Sequence, residues 1–170
     1  MNLQLDKIII DRLKTELRNA GSREIGGLLF GEHLGGDYFR IVDFSVQTAG
    51  GTDAHFLRDL EQNQKAMDRF FASVSGDFER FNYIGEWHSH PSFSVRPSGK
   101  DIRTMRGLID QAQDVNFLVL IIVRLDFGKH LALSANLFQK LSRPTPVSVV
   151  YSGIEKRKFS IQGLITKFWK

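Results

Sequence analysis

The stretch NFLVLIIVRL, residues 116–125, constrains the fold more than any other part of the 170-residue chain. It is apolar at nearly every position, which is typical of a central β-strand covered on both faces. The run is strand-sized, and no stretch of the sequence approaches the ~20 apolar residues of a membrane span. Because a chain of this length is expected to form one domain with a sizeable core, we expect this strand in the middle of a sheet packed by helices.

Other segments supply the neighbouring strands and helices of such a sheet. Ile9, Leu13 and Leu17 stand four residues apart, which predicts an amphipathic helix over 5–20. The pair Gly35-Gly36 predicts a hairpin between the strands on either side of it. The remaining predicted elements are strands over 24–32, 38–47, 81–88 and 131–140 and helices over about 57–75 and 99–113. This order predicts a single α/β or α+β domain, a mixed sheet packed by helices.

Two of these predicted helices carry an apolar stripe that we interpret as core-facing. The first stripe consists of Leu57, Leu60, Met67, Phe71 and Val74. The second consists of Ile102, Met105, Leu108 and Ile109.

The end of the chain is basic. From Lys140 onward seven Lys/Arg face one acid, Glu155, a net charge of +6, so the first 139 residues carry −2 of the total +4. A basic tail can attract nucleic acid or an acidic protein. Because the run EKRK is short and no nucleic-acid module accompanies it, we interpret it as a solvated surface and expect no nucleic-acid partner. We assign 1–145 to the main domain and 146–170 to a basic segment, of weaker strand or helix, that packs on or extends it.

The cellular compartment is predicted from the start of the chain and its cysteine content. The first ten residues, MNLQLDKIII, lack the pattern of a signal peptide. The sequence has no cysteine, so it can form neither disulfides nor thiolate metal sites. We therefore expect a cytoplasmic protein with no membrane partner.

Residues 85–101, GEWHSHPSFSVRPSGKD, carry the candidate chemistry. His88 and His90 are two apart in a predicted strand, so their imidazoles face the same way. Asp101 can arrive from the first turn of the following helix. Two histidines and one carboxylate leave the fourth position of a tetrahedral Zn²⁺ open for water, which is the composition of a catalytic zinc site. The candidates for a general base are Glu24 and Glu86.

Each of these features also has an ordinary structural interpretation. Ser98 and Asp101 have the spacing of a helix capping box, with Ser98 as N-cap. The two histidines can be half-buried residues at a strand end, and Glu24 a charged residue where a strand begins. These interpretations do not explain why all the features occur together.

Taken together, the residues resemble the signature of the JAMM metallopeptidases, also called JAB or MPN domains. The pattern is H-x-H-P-x6-S-x2-D, read here as His88, His90, Pro91, Ser98 and Asp101. The family also has a glutamate on an early strand, which Glu24 in EIGGLLFGE matches. The resemblance covers about residues 5–140 and implies a single JAMM/MPN domain of cytidine-deaminase-like fold.

The resemblance also implies a role for each site residue. His88, His90 and Asp101 would hold one Zn²⁺ with water as its fourth ligand. Glu24 would be the base, ahead of Glu86, and Ser98 would help to hold the oxyanion.

The substrate class is implied by the resemblance alone. JAMM enzymes hydrolyse the bond after the C-terminal glycine of ubiquitin or a ubiquitin-like protein. This compact chain is similar to the minimal prokaryotic members, which occur in antiphage operons of the CBASS type, where they release a conjugated nucleotidyltransferase, and in operons for bacterial ubiquitin-like proteins. We therefore expect a deconjugating zinc isopeptidase whose partner has an extended C-terminal tail.

Three alternatives stand beside this expectation. The first is a maturase that trims ubiquitin-like or sulfur-carrier precursors. The second is a non-catalytic MPN scaffold, which the complete set of ligands and the glutamate disfavours. The third, a zinc nucleobase deaminase, needs cysteine ligands that the chain lacks. The sequence leaves the substrate's identity, the operon type and the oligomeric state open.

Overall fold

The computed structural model describes residues 1–47, 59–113 and 115–153. In chain order its elements are β1 (Asn2–Asp6), α1 (Lys7–Ala20), β2 (Gly26–Gly35), β3 (Tyr38–Phe44), α2 (Leu60–Ser73), β4 (Phe81–Ser89), α3 (Gly99–Gln111), β5 (Leu118–Asp126), β6 (His130–Phe138), β7 (Thr145–Pro146) and β8 (Ser148–Ser152). Within these ranges no helix is both long and apolar enough to cross a membrane.

The eight strands form one mixed sheet in the order β7-β6-β5-β4-β2-β3-β1-β8. Strand β4 runs parallel to β5 and antiparallel to β2, and β1 runs parallel to both of its neighbours. The predicted hairpin connects β2 and β3 through Gly35 and Gly36, both of which adopt positive φ. The predicted class, a mixed sheet packed by helices, is confirmed.

Strand β5 is covered on both faces, as its sequence predicts. Residues 118–123 are all buried. The even-numbered residues pack with Met105 and Ile109 of α3, whereas the odd-numbered ones join the cluster that contains the buried face of α1. Helix α3 and helix α1 therefore cover opposite faces of the sheet, and α2 packs on the same face as α3 because Leu28 and Phe30 of β2 contact Ala66 and Phe70.

The first element of the chain is a strand that the sequence analysis missed. The predicted helix over 5–20 begins at Lys7, and residues 2–6 instead form β1. Leu3 and Leu5 are fully buried and alternate with partly exposed neighbours. Such a short alternation is weak without its partners, β3 and β8, which lie far away in the sequence.

Helix α2 packs on the sheet mainly through two residues outside the predicted stripe. Ala66 and Phe70 are its buried residues, and Phe70 stacks on Phe30 with ring centroids 4.2 Å apart. Met67, Phe71 and Val74 only flank this contact. Leu60 is 80% exposed, so its assignment to the core is wrong: at 3.6 residues per turn it lies on another side of the helix. Leu57 lies outside the described residues.

The C-terminal region contributes β7 and β8 to the two ends of the sheet. Strand β8 pairs in parallel with β1. Residues 154–170, which contain the EKRK run, lie outside the described residues. The proposed boundary between 145 and 146 stays a prediction.

A bulge in β4 decides which of its side chains face α1 and which face α2 and α3. The pairing with β2 passes from Phe30 opposite Tyr83 directly to Leu29 opposite Gly85. Ile84 and Trp87, three residues apart, therefore both pack into the core on the α1 side. Gly85 has a φ of 146°, and a Cβ built on it would lie 1.9 Å from the carbonyl oxygen of Val119. This position requires glycine.

We expect Gly85→Ala to lower the free energy of unfolding by about 3 kcal/mol or more, because backbone strain and a clash with β5 add together. Denaturant unfolding measures the change. Gly107→Ala is the matched control, since a Cβ there meets nothing within 4 Å and the residue lies inside α3. The free energy of unfolding of Gly107→Ala should rise by up to ~1 kcal/mol, because alanine has a higher helix propensity than glycine. Equal stability of the two variants would contradict the role given to Gly85.

Candidate metal centre

Two buried histidines meet where β4 ends. His88 lies in β4 opposite Ile122 of β5 and Gly26 of β2. His90 follows the last residue of the strand, and its backbone N–H continues the pairing by donating to the Val123 carbonyl at 2.9 Å. The Nε2 atoms of the two imidazoles are 3.1 Å apart. The shared orientation expected of residues i and i+2 is therefore realised.

Asp101 reaches this pair from the first turn of α3. Its Oδ1 lies 3.4 Å from His88 Nε2 and its Oδ2 lies 3.7 Å from His90 Nε2. The capping box is also present: the Ser98 hydroxyl accepts from the Asp101 amide at 3.2 Å, and Asp101 Oδ2 accepts from the Ser98 amide at 2.6 Å. The helix cap and the candidate ligand are thus one carboxylate, and the two interpretations of this segment do not exclude each other.

The environment of Asp101 keeps its carboxylate ionised. Burial on its own raises the pKa of Asp101, but hydrogen bonds with His88 and Ser98 outweigh burial and hold that pKa well below its usual range. The side chain is therefore an anion at neutral pH, as a metal ligand must be.

The spacing of these three residues fits a tetrahedral divalent ion. One ligand atom from each of His88, His90 and Asp101 lies within 4.8 Å of the others. A tetrahedral zinc with bonds of ~2.0–2.1 Å has its ligand atoms ~3.3 Å apart. The 3.1 Å between the two Nε2 atoms and the 3.4 Å from His88 Nε2 to Asp101 Oδ1 lie close to that value. Two imidazoles and a carboxylate are also donors that zinc accepts.

The His90 ring is held in the orientation that such a site needs. Its Nδ1 lies 2.7 Å from the carbonyl oxygen of Ser94. When Nδ1 donates its proton to that carbonyl, the lone pair of Nε2 points towards the cluster. The residues on either side of Ser94 are bonded in turn. Arg124 Nη1 donates to the Phe93 carbonyl at 2.7 Å, and the Ser134 hydroxyl donates to the Val95 carbonyl. These contacts could not be predicted from the sequence, because any residue carries a carbonyl and no side-chain pattern marks them.

Glu24 is placed beside the histidines by the register of β2. It lies two residues before β2 begins and is buried, 8% exposed. Gly26 pairs with His88, and the Ser89 amide donates to the Ile25 carbonyl at 2.8 Å. Continuing this antiparallel register puts Glu24 level with His90 and on the same face of the sheet. The close pairing of Gly26 with His88 requires glycine, since a Cβ there would lie 2.8 Å from the Cβ of His88.

Glu86, the second candidate base, lies deeper on the same face. It is buried and pairs with Leu28 of β2 and Leu120 of β5, both of them core residues. Glu24 is instead at the strand end, level with the cluster. The geometry therefore favours Glu24, although its role as base stays a prediction.

Replacing Asp101 with asparagine should weaken zinc binding by more than the ~10–100-fold typical of losing an outer-sphere partner, because a neutral amide is a poorer ligand. An amide oxygen can still accept from the Ser98 amide, so the cap should survive. Competition with a chromophoric chelator measures the dissociation constant. Asp110→Asn, an exposed change later in α3, is the control. Wild-type affinity in Asp101→Asn would show that the carboxylate is not a ligand.

Comparison with known proteins finds a curated relative and a solved structure that are similar to this chain. Over 124 residues the chain is 25% identical to the COP9 signalosome complex subunit 5 of Candida glabrata, a match that covers 71% of this chain and 26% of that protein. The chain thus spans about a quarter of the length of this curated relative. The solution structure of a protein from Desulfitobacterium hafniense superimposes with a TM-score of 0.67 at 20% sequence identity, covering 88% of this chain and 92% of the other, which shows a shared fold.

The family match covers most of the chain, including every residue of the cluster. Residues 6–135 match the family model described as prokaryotic homologs of the JAB domain. This span contains Glu24, His88, His90, Ser98 and Asp101. The chain therefore belongs to the prokaryotic JAB-domain family.

Proposed function

We propose that this protein is a zinc-dependent peptidase of the JAMM type that cleaves the bond after the C-terminal residue of a ubiquitin-like or conjugated protein. The observation that carries the proposal is the cluster of His88, His90 and Asp101, whose ligand atoms lie within 4.8 Å of one another. The register of β2, continued by two residues, puts the buried Glu24 level with His90. Membership of the JAB family supports the reaction class.

The metal and the base divide the work of such a hydrolysis. Zinc held by His88, His90 and Asp101 would lower the pKa of a water to ~7 and polarise the scissile carbonyl. Glu24 accepts the proton of the attacking water and passes it to the leaving amine. Because Glu24 is not one of the three clustered ligands, its carboxylate is available for this transfer.

Ser98 is suited to stabilise the oxyanion without giving up its cap. Its oxygen accepts from the Asp101 amide through one lone pair, and its hydroxyl proton, which can bond to the Asp101 carboxylate, can turn to another acceptor. The developing negative charge on the scissile oxygen is such an acceptor. The N-terminus of α3 adds a favourable helix dipole at the same place.

The rim of the site supports an extended peptide as substrate. Phe93 is 55% exposed, and its ring lies 6.5 Å from that of His90. Its backbone is held by the hydrogen bond from Arg124, so the ring can contact a substrate tail with little loss of conformational entropy. A tail of small residues passes such a rim and approaches the metal closely.

We expect this deconjugation to take place in the cytoplasm. We expect the gene to belong to an antiphage operon of the CBASS type or to an operon that encodes a bacterial ubiquitin-like protein.

The alternatives predict different products or none. A maturase uses the same site and differs only in the leaving group. A scaffold needs no intact catalytic set, and here His88, His90 and Asp101 come together as a possible metal site with a buried Glu24 nearby in the register, which favours the enzyme.

Glu24→Gln should lower kcat by ~10²–10⁴-fold, the usual contribution of a positioned base, while zinc binding stays intact. The assay is release of ubiquitin joined through its C-terminal glycine to the lysine ε-amine of a dye-labelled peptide. Glu79→Gln, an exposed change, is the control and should behave as wild type.

Glu86→Gln separates the two candidate bases in the same assay. Should Glu24→Gln cleave as fast as wild type while Glu86→Gln is inactive and folded, the base is Glu86.

Ser98→Ala should lower kcat by a smaller factor than Glu24→Gln and cost ~1 kcal/mol of stability through the lost cap. Asp59→Ala is the matched control, because Asp59 caps α2 by accepting from the Gln62 amide at 3.0 Å and is neither a candidate ligand nor a candidate base. It should lower stability to a similar extent and leave kcat unchanged. An equal loss of kcat in both variants would assign the effect of Ser98 to folding alone.

A further inference from the structure

Ser89, between the two histidines, makes two bonds to the segment that carries Glu24. It is completely buried. Its amide donates to the Ile25 carbonyl at 2.8 Å, and its hydroxyl accepts from the Ile25 amide at 3.0 Å. Because successive side chains of a strand alternate, the Ser89 side chain points away from the face that bears His88 and His90.

The hydroxyl takes the place of a missing backbone acceptor. In a regular antiparallel pair the Ile25 amide would bond to the Ser89 carbonyl. Strand β4 ends at Ser89, and the Ile25 amide bonds instead to the Ser89 hydroxyl at 3.0 Å. The Ile25 amide would be a buried donor without the hydroxyl, which is costly in a protein interior.

The Ile25 amide belongs to the peptide group that joins Glu24 to Ile25. A bond to this amide fixes the plane of that peptide and the position of the Glu24 Cα within it, which restricts where the Glu24 side chain can start. The Ile25 side chain is buried in the core on the α1 side, which anchors the same segment from behind. Glu24 lies before the regular part of β2, so these contacts hold this segment in place of the backbone hydrogen bonds of a regular strand pair.

We propose that Ser89 is a positioning residue for Glu24: its hydroxyl holds the Glu24–Ile25 peptide so that the carboxylate faces the His88–His90 pair. This inference rests on the proposed role of Glu24 as base. It requires a hydroxyl at position 89, which serine and threonine supply and alanine does not.

The chain contains a matched control for this contact. Ser45 donates its amide to the Leu28 carbonyl at 3.0 Å, and its hydroxyl accepts from the Leu28 amide at 2.9 Å. The same pair of bonds is thus made to β2 three residues further on, where no candidate catalytic residue is attached. Ser45→Ala removes an equivalent bond without touching the Glu24 peptide.

The first measurement is amide hydrogen exchange in the zinc-free protein, which is independent of activity. Ser89→Ala should speed exchange of the Ile25 amide and leave that of Leu28 unchanged, and Ser45→Ala should do the reverse. Unchanged protection of Ile25 in a folded Ser89→Ala variant would overturn the proposal, whatever the substrate is. Zinc affinity should stay at the wild-type value in both variants, because no ligand is altered.

The second measurement is a double-mutant cycle with Glu24→Gln, using the ubiquitin–peptide conjugate described above. Ser89→Ala should lower kcat on the order of 10–10²-fold, as expected for a misplaced catalytic group, with little change in KM. In the Glu24→Gln background the same change should cost less than ~2-fold, because the two residues act as one unit. Ser89→Thr should restore kcat, and Ser45→Ala should not alter it.

The outcomes separate this inference from the proposed function. Equal losses from Ser89→Ala in both backgrounds, or a folded Ser89→Thr as slow as Ser89→Ala, would overturn the positioning role. Wild-type turnover in Glu24→Gln would instead overturn the role of Glu24, and the exchange of Ile25 would still report whether Ser89 holds this peptide.

Discussion

The site depends on the register of β4 between β2 and β5. His88 lies opposite Gly26 on one side and Ile122 on the other. A slip of one residue would turn both histidines into the α1-side core and bring Trp87 to their place. Trp87 is fully buried, and its indole N–H donates to the Ser45 carbonyl at 2.8 Å. The Ser45 carbonyl can approach β2 this closely only because Gly27 has no side chain. A Cβ on Gly27 would lie 2.3 Å from the Ser45 carbonyl oxygen. The packing behind the sheet therefore fixes the chemistry in front of it.

Asp101 links the stability of α3 to the candidate metal. The carboxylate accepts a hydrogen bond from the Ser98 amide, and its Oδ1 lies 3.4 Å from His88 Nε2. Because the capping box fixes the first turn of the helix, the carboxylate is already oriented before any ion binds. An ion bound to this folded arrangement stabilises it in turn by mass action. The cluster of two histidines and one carboxylate thus costs little reorganisation on binding.

Much of the fold and the cluster follows from the sequence, for local reasons. The two-residue spacing of His88 and His90 and the three-residue spacing of Ser98 and Asp101 are short-range patterns, and both are realised. The uninterrupted apolar run of β5 likewise predicts its burial. Strand β1 was missed because its partners are remote in sequence.

Other features depend on tertiary contacts that no local pattern carries. The bulge at Gly85 depends on the approach of Val119, and the buried face of α2 on where Phe30 lies. The bond from Ser89 to Ile25 depends on where β4 departs from β2, so a serine between two histidines shows no such role in the sequence.

The most direct test of the account is a crystal structure of the zinc-loaded protein with an anomalous difference map at the zinc edge. The account predicts one peak bonded to Nε2 of His88, Nε2 of His90 and an oxygen of Asp101, with the Glu24 carboxylate within hydrogen-bonding reach of the fourth ligand. A peak elsewhere, or Glu24 turned away from an occupied site, would contradict the central claim that the pairing of β2, β4 and β5 assembles a catalytic zinc centre.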